Sequence, residues 1–140
     1  MAAFPDLGLD TAGRFAAVLG LEFDETRADR VTGRLRIDHR HRNAWGDVHG
    51  GVYSTAVERA ASVGASRAVA DRGLFAVGVH NATDVFVHSA EGPAEVIAEP
   101  VFQSEDQQVW SVSVTAAGDG TLLAHGRLRL QNIPRRDAPA

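Results

Sequence analysis

Residues 52–69 read Val-Tyr-Ser-Thr-Ala-Val-Glu-Arg-Ala-Ala-Ser-Val-Gly-Ala-Ser-Arg-Ala-Val, almost all small or apolar and without a proline. A run of that length and alanine content predicts a helix rather than a strand. Ala56, Ala60 and Gly64 recur at every fourth position and make a flat face that lets other backbone come close. The remaining faces are also largely apolar, so this helix must be surrounded on most sides. The rest of the chain therefore has to wrap it.

Glu58 breaks the run two turns from its start. Burying an unpaired carboxylate costs several kcal/mol, so it must be paired, protonated or facing a wet cleft. A salt bridge to Arg59 or Arg67 is one outcome and a catalytic carboxylate is the other. Ser62 lies four residues on, on the same helical face. The approach is rich in turn residues: Asn43, Trp45-Gly46-Asp47, then His49-Gly50-Gly51. Two glycines at a helix start leave backbone N–H groups bare at the positive end of the dipole, where an anion or a polarised carbonyl oxygen is favoured. His49 and Asn43 add polar side chains at the same mouth. A donor pocket beside a carboxylate is the equipment of acyl chemistry.

The flanking segments suggest strands. Phe15, Val18 and Leu19 form the stripe of a short helix capped by Asp10 or Thr11 and stopped by Gly20. Leu21 to Arg27 is a strand, and Val31 to Asp38 alternates apolar with polar, the pattern of a half-buried one. His39-Arg40-His41-Arg42 is a basic loop leading to the motif. Arg72-Gly73 ends the long helix, and strands follow at 74–88, 94–103, 107–116 and 121–132. Pro100 marks an edge position or a bulge. In the last strand Leu122, Ala124, Gly126, Leu128 and Leu130 share one side. Residues 1–9 are expected to be a loose arm and 134–140 a disordered tail. One long helix followed by strands in meander spacing implies an α+β domain, with an antiparallel sheet wrapped on the helix and residues 1–140 forming a single unit.

The motif has a recognisable relative. Asn43-x-x-Gly46-x-x-His49-Gly50-Gly51, with Glu58 and Ser62, resembles the signature of the hotdog-fold thioesterases of the 4-hydroxybenzoyl-CoA thioesterase and PaaI type. The resemblance runs from about Phe15 to Ile133 and takes in Asn81, His88-Ser89 and Gln108-Val109-Trp110. It implies hydrolysis of an acyl- or aryl-CoA thioester, or of a carrier-protein thioester, without a cofactor. In relatives with Glu on the helix the matching carboxylate is catalytic, and the first Gly after His polarises the thioester carbonyl. By that resemblance Glu58 attacks or activates water, Gly50 receives the oxygen, His49 and Asn43 position the thioester, and Ser62 holds Glu58 or the water. Gly51, His88 and Ser89 would join in binding substrate. His88 and the acidic Ser104-Glu105-Asp106 hairpin stand where relatives are more basic, which implies weak binding of the nucleotide end of CoA. The resemblance also implies a homodimer or homotetramer, with adjacent long strands in one sheet and Gly50 and Glu58 of each site from different protomers.

Other classes fit less well. A hotdog hydratase or lyase would carry an Asp/His pair that is absent here, and a non-catalytic acyl-thioester sensor would normally be joined to a DNA-binding module. The chain has no cysteine, hence no disulfide and no cysteine nucleophile. A net charge of −4 with no lysine argues against a nucleic-acid partner. No apolar run approaches the roughly 20 residues of a membrane span, and no leader pattern opens the chain, so a cytoplasmic location is expected. His39 and His41, two apart, lack the Cys or carboxylate neighbours that would complete a metal site.

Overall fold

The computed structural model describes residues 13–136. The expected arm at 1–9, the Asp10 or Thr11 cap and the end of the tail at 137–140 lie outside the described residues. The long helix, α2, spans Gly50–Val69, with a shorter α1 at Gly13–Leu19 before it. It starts two residues before the apolar run because His49 caps it, the ring Nδ1 accepting from the Gly51 N–H. A 3₁₀ turn at Ala70–Arg72 and Gly73, with φ of 70°, close its far end.

Six strands wrap this helix: β1 Glu22–Thr26, β2 Val31–Ile37, β3 Leu74–Val85, β4 Gly92–Gln103, β5 Gln107–Ala116 and β6 Leu122–Pro134. All pairs are antiparallel, in the order β1-β2-β4-β5-β6-β3. This is the hotdog arrangement. The meander expectation needs correcting, because β3 crosses over to pair with β6 and becomes an edge of the sheet. Pro100 sits beside a bulge in an interior strand rather than at an edge.

The small-residue face of α2 is pressed into the sheet. Ala56, Ala60 and Ala65 are fully buried, and a Cβ on Gly64 would lie 2.4 Å from the Trp110 ring. Gln108 is equally buried but fully satisfied. Its Nε2 donates to Ala65 O and Asn132 Oδ1, both at 2.9 Å, while its Oε1 accepts from Trp110 Nε1 at 3.0 Å. Left unpaired, such an amide would cost about 1–3 kcal/mol.

Three further expectations change. β3 ends at Val85, so His88 and Ser89 lie in the bend beyond it. A register shift opposite Val114 and Thr115 makes Leu123 the extra residue in β6, so Leu123 is buried and Leu122 is 42% exposed. The tail is structured at its start: Pro134 closes β6 and the Arg135 N–H donates to Gly73 O.

Candidate active site

The approach to α2 is a chain of local hydrogen bonds. Asp38 caps a 3₁₀ turn at His39–His41, its Oδ1 accepting from the Arg40 N–H at 3.0 Å. The Arg40 guanidinium and that N–H hold the Asp38 carboxyl at about 2, well below its usual 3.8. His41 is buried, its Nδ1 accepting from the Asp38 N–H and its Nε2–H directed at Val18 O and Leu19 O. It therefore anchors the end of α1, and the turn does not set His39 and His41 side by side as an extended segment would. Among the described residues no group of His, Asp or Glu is placed to hold a metal ion.

Asn43 builds the next turn. Its Oδ1 accepts from the Trp45 N–H at 2.9 Å and the Asp47 N–H at 3.1 Å, with Gly46 at φ of 86°. The side-chain oxygen is therefore committed to the backbone. Val48 N–H donates to His88 O and His49 N–H to His41 O, which aims the loop at the helix start.

The two glycines at that start differ. A Cβ on Gly51 would lie 2.9 Å from His49 Nδ1, and its amide is already bonded to that nitrogen. The expectation of two bare amides is thus corrected: the cap occupies the Gly51 N–H. The Gly50 amide, as the first of the helix, has no acceptor among the described residues, and a Cβ on Gly50 would meet nothing within 4 Å. Because His49 accepts through Nδ1, the neutral ring carries its proton on Nε2, giving a second donor at the mouth.

Glu58 faces an open polar cleft of ≈ 480 Å³ lined by Gly50, Ser54, Thr55, Asn81, Thr83 and Val85. It is exposed and lies over the backbone of β3, where a Cβ on Gly78 would stand 3.1 Å from its Oε1. The neighbouring Arg59 is turned away: its guanidinium lies 5.7 Å from the Phe23 ring centroid, and burial pulls its pKa down. Asn81 Nδ2 donates to Ser54 O at 2.9 Å and Thr83 Oγ1 to Asn81 Oδ1 at 2.7 Å, locking β3 to the helix beside Glu58.

Of the residues singled out in the sequence, the structure brings Gly50 and Glu58 into one cleft, with His49 beside Gly50. Ser62 is half-buried, its hydroxyl makes no hydrogen bond to the described residues, and it does not line the cleft. The hydroxyls that do line it are Ser54, Thr55 and Thr83. Ser54 and Thr55 stand four and three residues before Glu58, so looking toward the helix start would have found them. His88 and Ser89 are exposed and contribute a backbone carbonyl to the mouth rather than a side chain to the cleft.

Comparison with known proteins converges on one family. A family model described as "Thioesterase superfamily" matches residues 45–123. Protein Rv1847 of Mycobacterium tuberculosis, which carries an esterase name, is 35% identical over 124 residues, covering 87% of this chain and 88% of its own. The crystal structure of AziG from S. sahachiroi is similar at a TM-score of 0.80 with 38% identity, covering 88% of this chain and 98% of that one. The thioesterase HI1161 of Haemophilus influenzae superposes at a TM-score of 0.81 over 96% of this chain and 92% of its own, at 22% identity, a likeness of fold.

Proposed function

The chain belongs to the thioesterase superfamily, and from that premise we propose that it hydrolyses acyl- or aryl-CoA thioesters, or the same groups on a carrier protein, through Glu58. The observation that carries this reading is that α2 presents both parts: an exposed carboxylate in a polar cleft and, eight residues before it, an amide with no acceptor among the described residues. The Gly50 N–H receives the thioester oxygen as negative charge develops on it. Glu58 either takes a proton from water, whose oxygen bonds to the carbonyl carbon, or bonds to that carbon itself and is then released by water. In both routes the C–S bond breaks, the sulfur leaves with a proton, and the products are a free acid and a thiol. His49 Nε2–H is placed to donate at the thioester, and Ser54, Thr55 and Thr83 hold water around the carboxylate.

The spacing on α2 supports a site shared between two copies. Gly50 and Glu58 are eight residues apart, about 12 Å along the axis at 1.5 Å per residue. A Glu side chain leaning back toward the helix start recovers only about 4 Å of that. One thioester therefore does not bridge the Gly50 amide and the Glu58 carboxylate of a single chain comfortably. A second copy brought in across the free edge of β3 would supply the missing half. That edge presents the bulged Val79 and, just beyond the strand, Phe86, 49% and 56% exposed. Unpaired strand edges of this kind favour pairing with another strand. No described helix is long and apolar enough to cross a membrane.

Thiol release from a panel of acyl-CoAs tests the reaction. Glu58→Gln should lower kcat by at least about 100-fold, the low end of an acid–base contribution. Activity within a few-fold of the unmodified protein would overturn the assignment. Mixing Glu58→Gln with Gly50→Pro, which lacks the amide, tests the shared site. If each is inactive alone, partial recovery in the mixture is expected, whereas a single-chain site would stay silent.

A further inference from the structure

We propose that Trp45 of each copy seals the Glu58 cleft of its neighbour, a positioning residue supplied across the β3 edge. The inference rests on the shared-site reading and adds to it the side chain that excludes water.

Among the described residues Trp45 is the most exposed large apolar side chain, at 86%. The turn that carries it is tightly tied. The Asn43 N–H donates to Asp47 O at 2.7 Å and the Gly46 N–H to Asn43 O at 3.1 Å. The Asn43 side chain takes the Trp45 and Asp47 amides. Arg42 adds donations to Gly46 O at 3.0 Å and Ala90 O at 3.1 Å. All of this backbone order holds an indole in water, where its large apolar surface gains nothing. Fixed aromatic side chains of this kind are the usual anchors of protein interfaces.

The place of the turn says which surface the indole meets. Val48 N–H donates to His88 O, so the turn stands beyond the finishing end of β3, where Phe86 is also exposed. Glu58 lies toward the starting end, over Gly78. A second copy that continues the sheet across β3, with both helices on one side, pairs antiparallel with the first. The finishing end of one β3 then lies beside the starting end of the other. Trp45 of one copy is thereby carried to Glu58 of the next, together with the Gly50 amide five residues after it. In a single chain the cleft is open and walled by Ser54, Thr55, Asn81 and Thr83. An indole across its mouth removes bulk water, which strengthens the hold of the Gly50 N–H on a developing oxyanion.

Two readouts test this. The chain holds two tryptophans, and Trp110 is fully buried. Acrylamide quenching of the unmodified protein, less that of Trp45→Phe, therefore reports on Trp45. At concentrations where light scattering shows more than one copy, Trp45 should be shielded several-fold relative to free tryptophan. The kinetic readout uses the mixture of Glu58→Gln with Gly50→Pro. Its working site takes Glu58 from the Gly50→Pro chain and the amide, with Trp45, from the Glu58→Gln chain. Trp45→Ala added to the Glu58→Gln chain should lower the recovered kcat by about tenfold, worth roughly 1.4 kcal/mol. Added to the Gly50→Pro chain it should cost less than about twofold, and Trp45→Phe in the sensitive chain should restore most of the loss. A general effect on folding would lower both mixtures alike. No recovery in the parent mixture overturns the shared site and this inference together. Recovery that Trp45→Ala lowers equally from either chain, or a fully quenched Trp45 in the assembled protein, overturns this inference alone.

Discussion

The two halves of α2 are made from the same few residue types and do opposite work. Gly64, in the second half, is a glycine because the Trp110 ring and Val31 leave no room, a Cβ there meeting them at 2.4 and 2.8 Å. Gly50, in the first half, has no such neighbour. The second half is closed by Trp110, Gln108, Ala65 and Asn132, each polar atom of that cluster answered by another. The first half opens onto the Glu58 cleft and, among the described residues, keeps an amide and a carboxylate unanswered. Packing and the proposed chemistry thus divide along one helix, because the side chains that would stabilise its start would also fill the space the proposed substrate needs.

Mutations should separate the halves. Trp110→Ala removes a fully buried indole and should cost about 3–5 kcal/mol in chemical denaturation. A loss under 1 kcal/mol would mean the second half is less tightly closed than the contacts show. Glu58→Gln, with its large loss of kcat, should leave stability within about 0.5 kcal/mol, the ordinary range for an exposed position. Gly64→Ala should cost about 1–3 kcal/mol by overpacking. Gly50→Ala should stay within about 0.5 kcal/mol, since nothing opposes its methyl. Equal costs for these two glycines would erase the distinction.

The smallest effect concerns the turn that feeds the open half. Asp38 has a folded-state pKa of about 2 against its usual 3.8, so the folded state holds its proton less tightly than the unfolded chain. Its contribution to stability is complete above about pH 4 and is lost as pH falls toward 2. Asp38→Asn should therefore flatten the acid limb of the thermal unfolding midpoint in that window and leave the midpoint less dependent on pH. An unchanged acid limb would show that the Asp38–Arg40 pair matters little there.

Much of the fold was legible because it is written in local periodicity. The alternation in β2 and β5 and the spacing of Ala56, Ala60 and Gly64 each state which face is buried, whatever lies opposite. The Asn43 to Gly51 motif and the lone carboxylate at Glu58 marked the end of the helix that the proposed chemistry uses. Strand order was not legible. The pattern of β3 reads alike whether it pairs with β4 or β6, so its place at the sheet edge, and with it the surface offered to a second copy, came only from the structure. Bulges are equally silent: one extra residue at Leu123 reverses the faces of Leu122 and Leu123 without altering the composition. The companions of Glu58 followed from the same cause. Ser54 and Thr55 precede it in the helix, but Asn81 and Thr83 reach it only because β3 crosses over to lie along α2, and a contact between residues so far apart in the chain leaves no period to read. The sequence alone determined which residues form the helix, which of its faces is small, and that its start carries the donors; tertiary packing decided which amide stays free and what surrounds the carboxylate, because both depend on where distant backbone comes to rest.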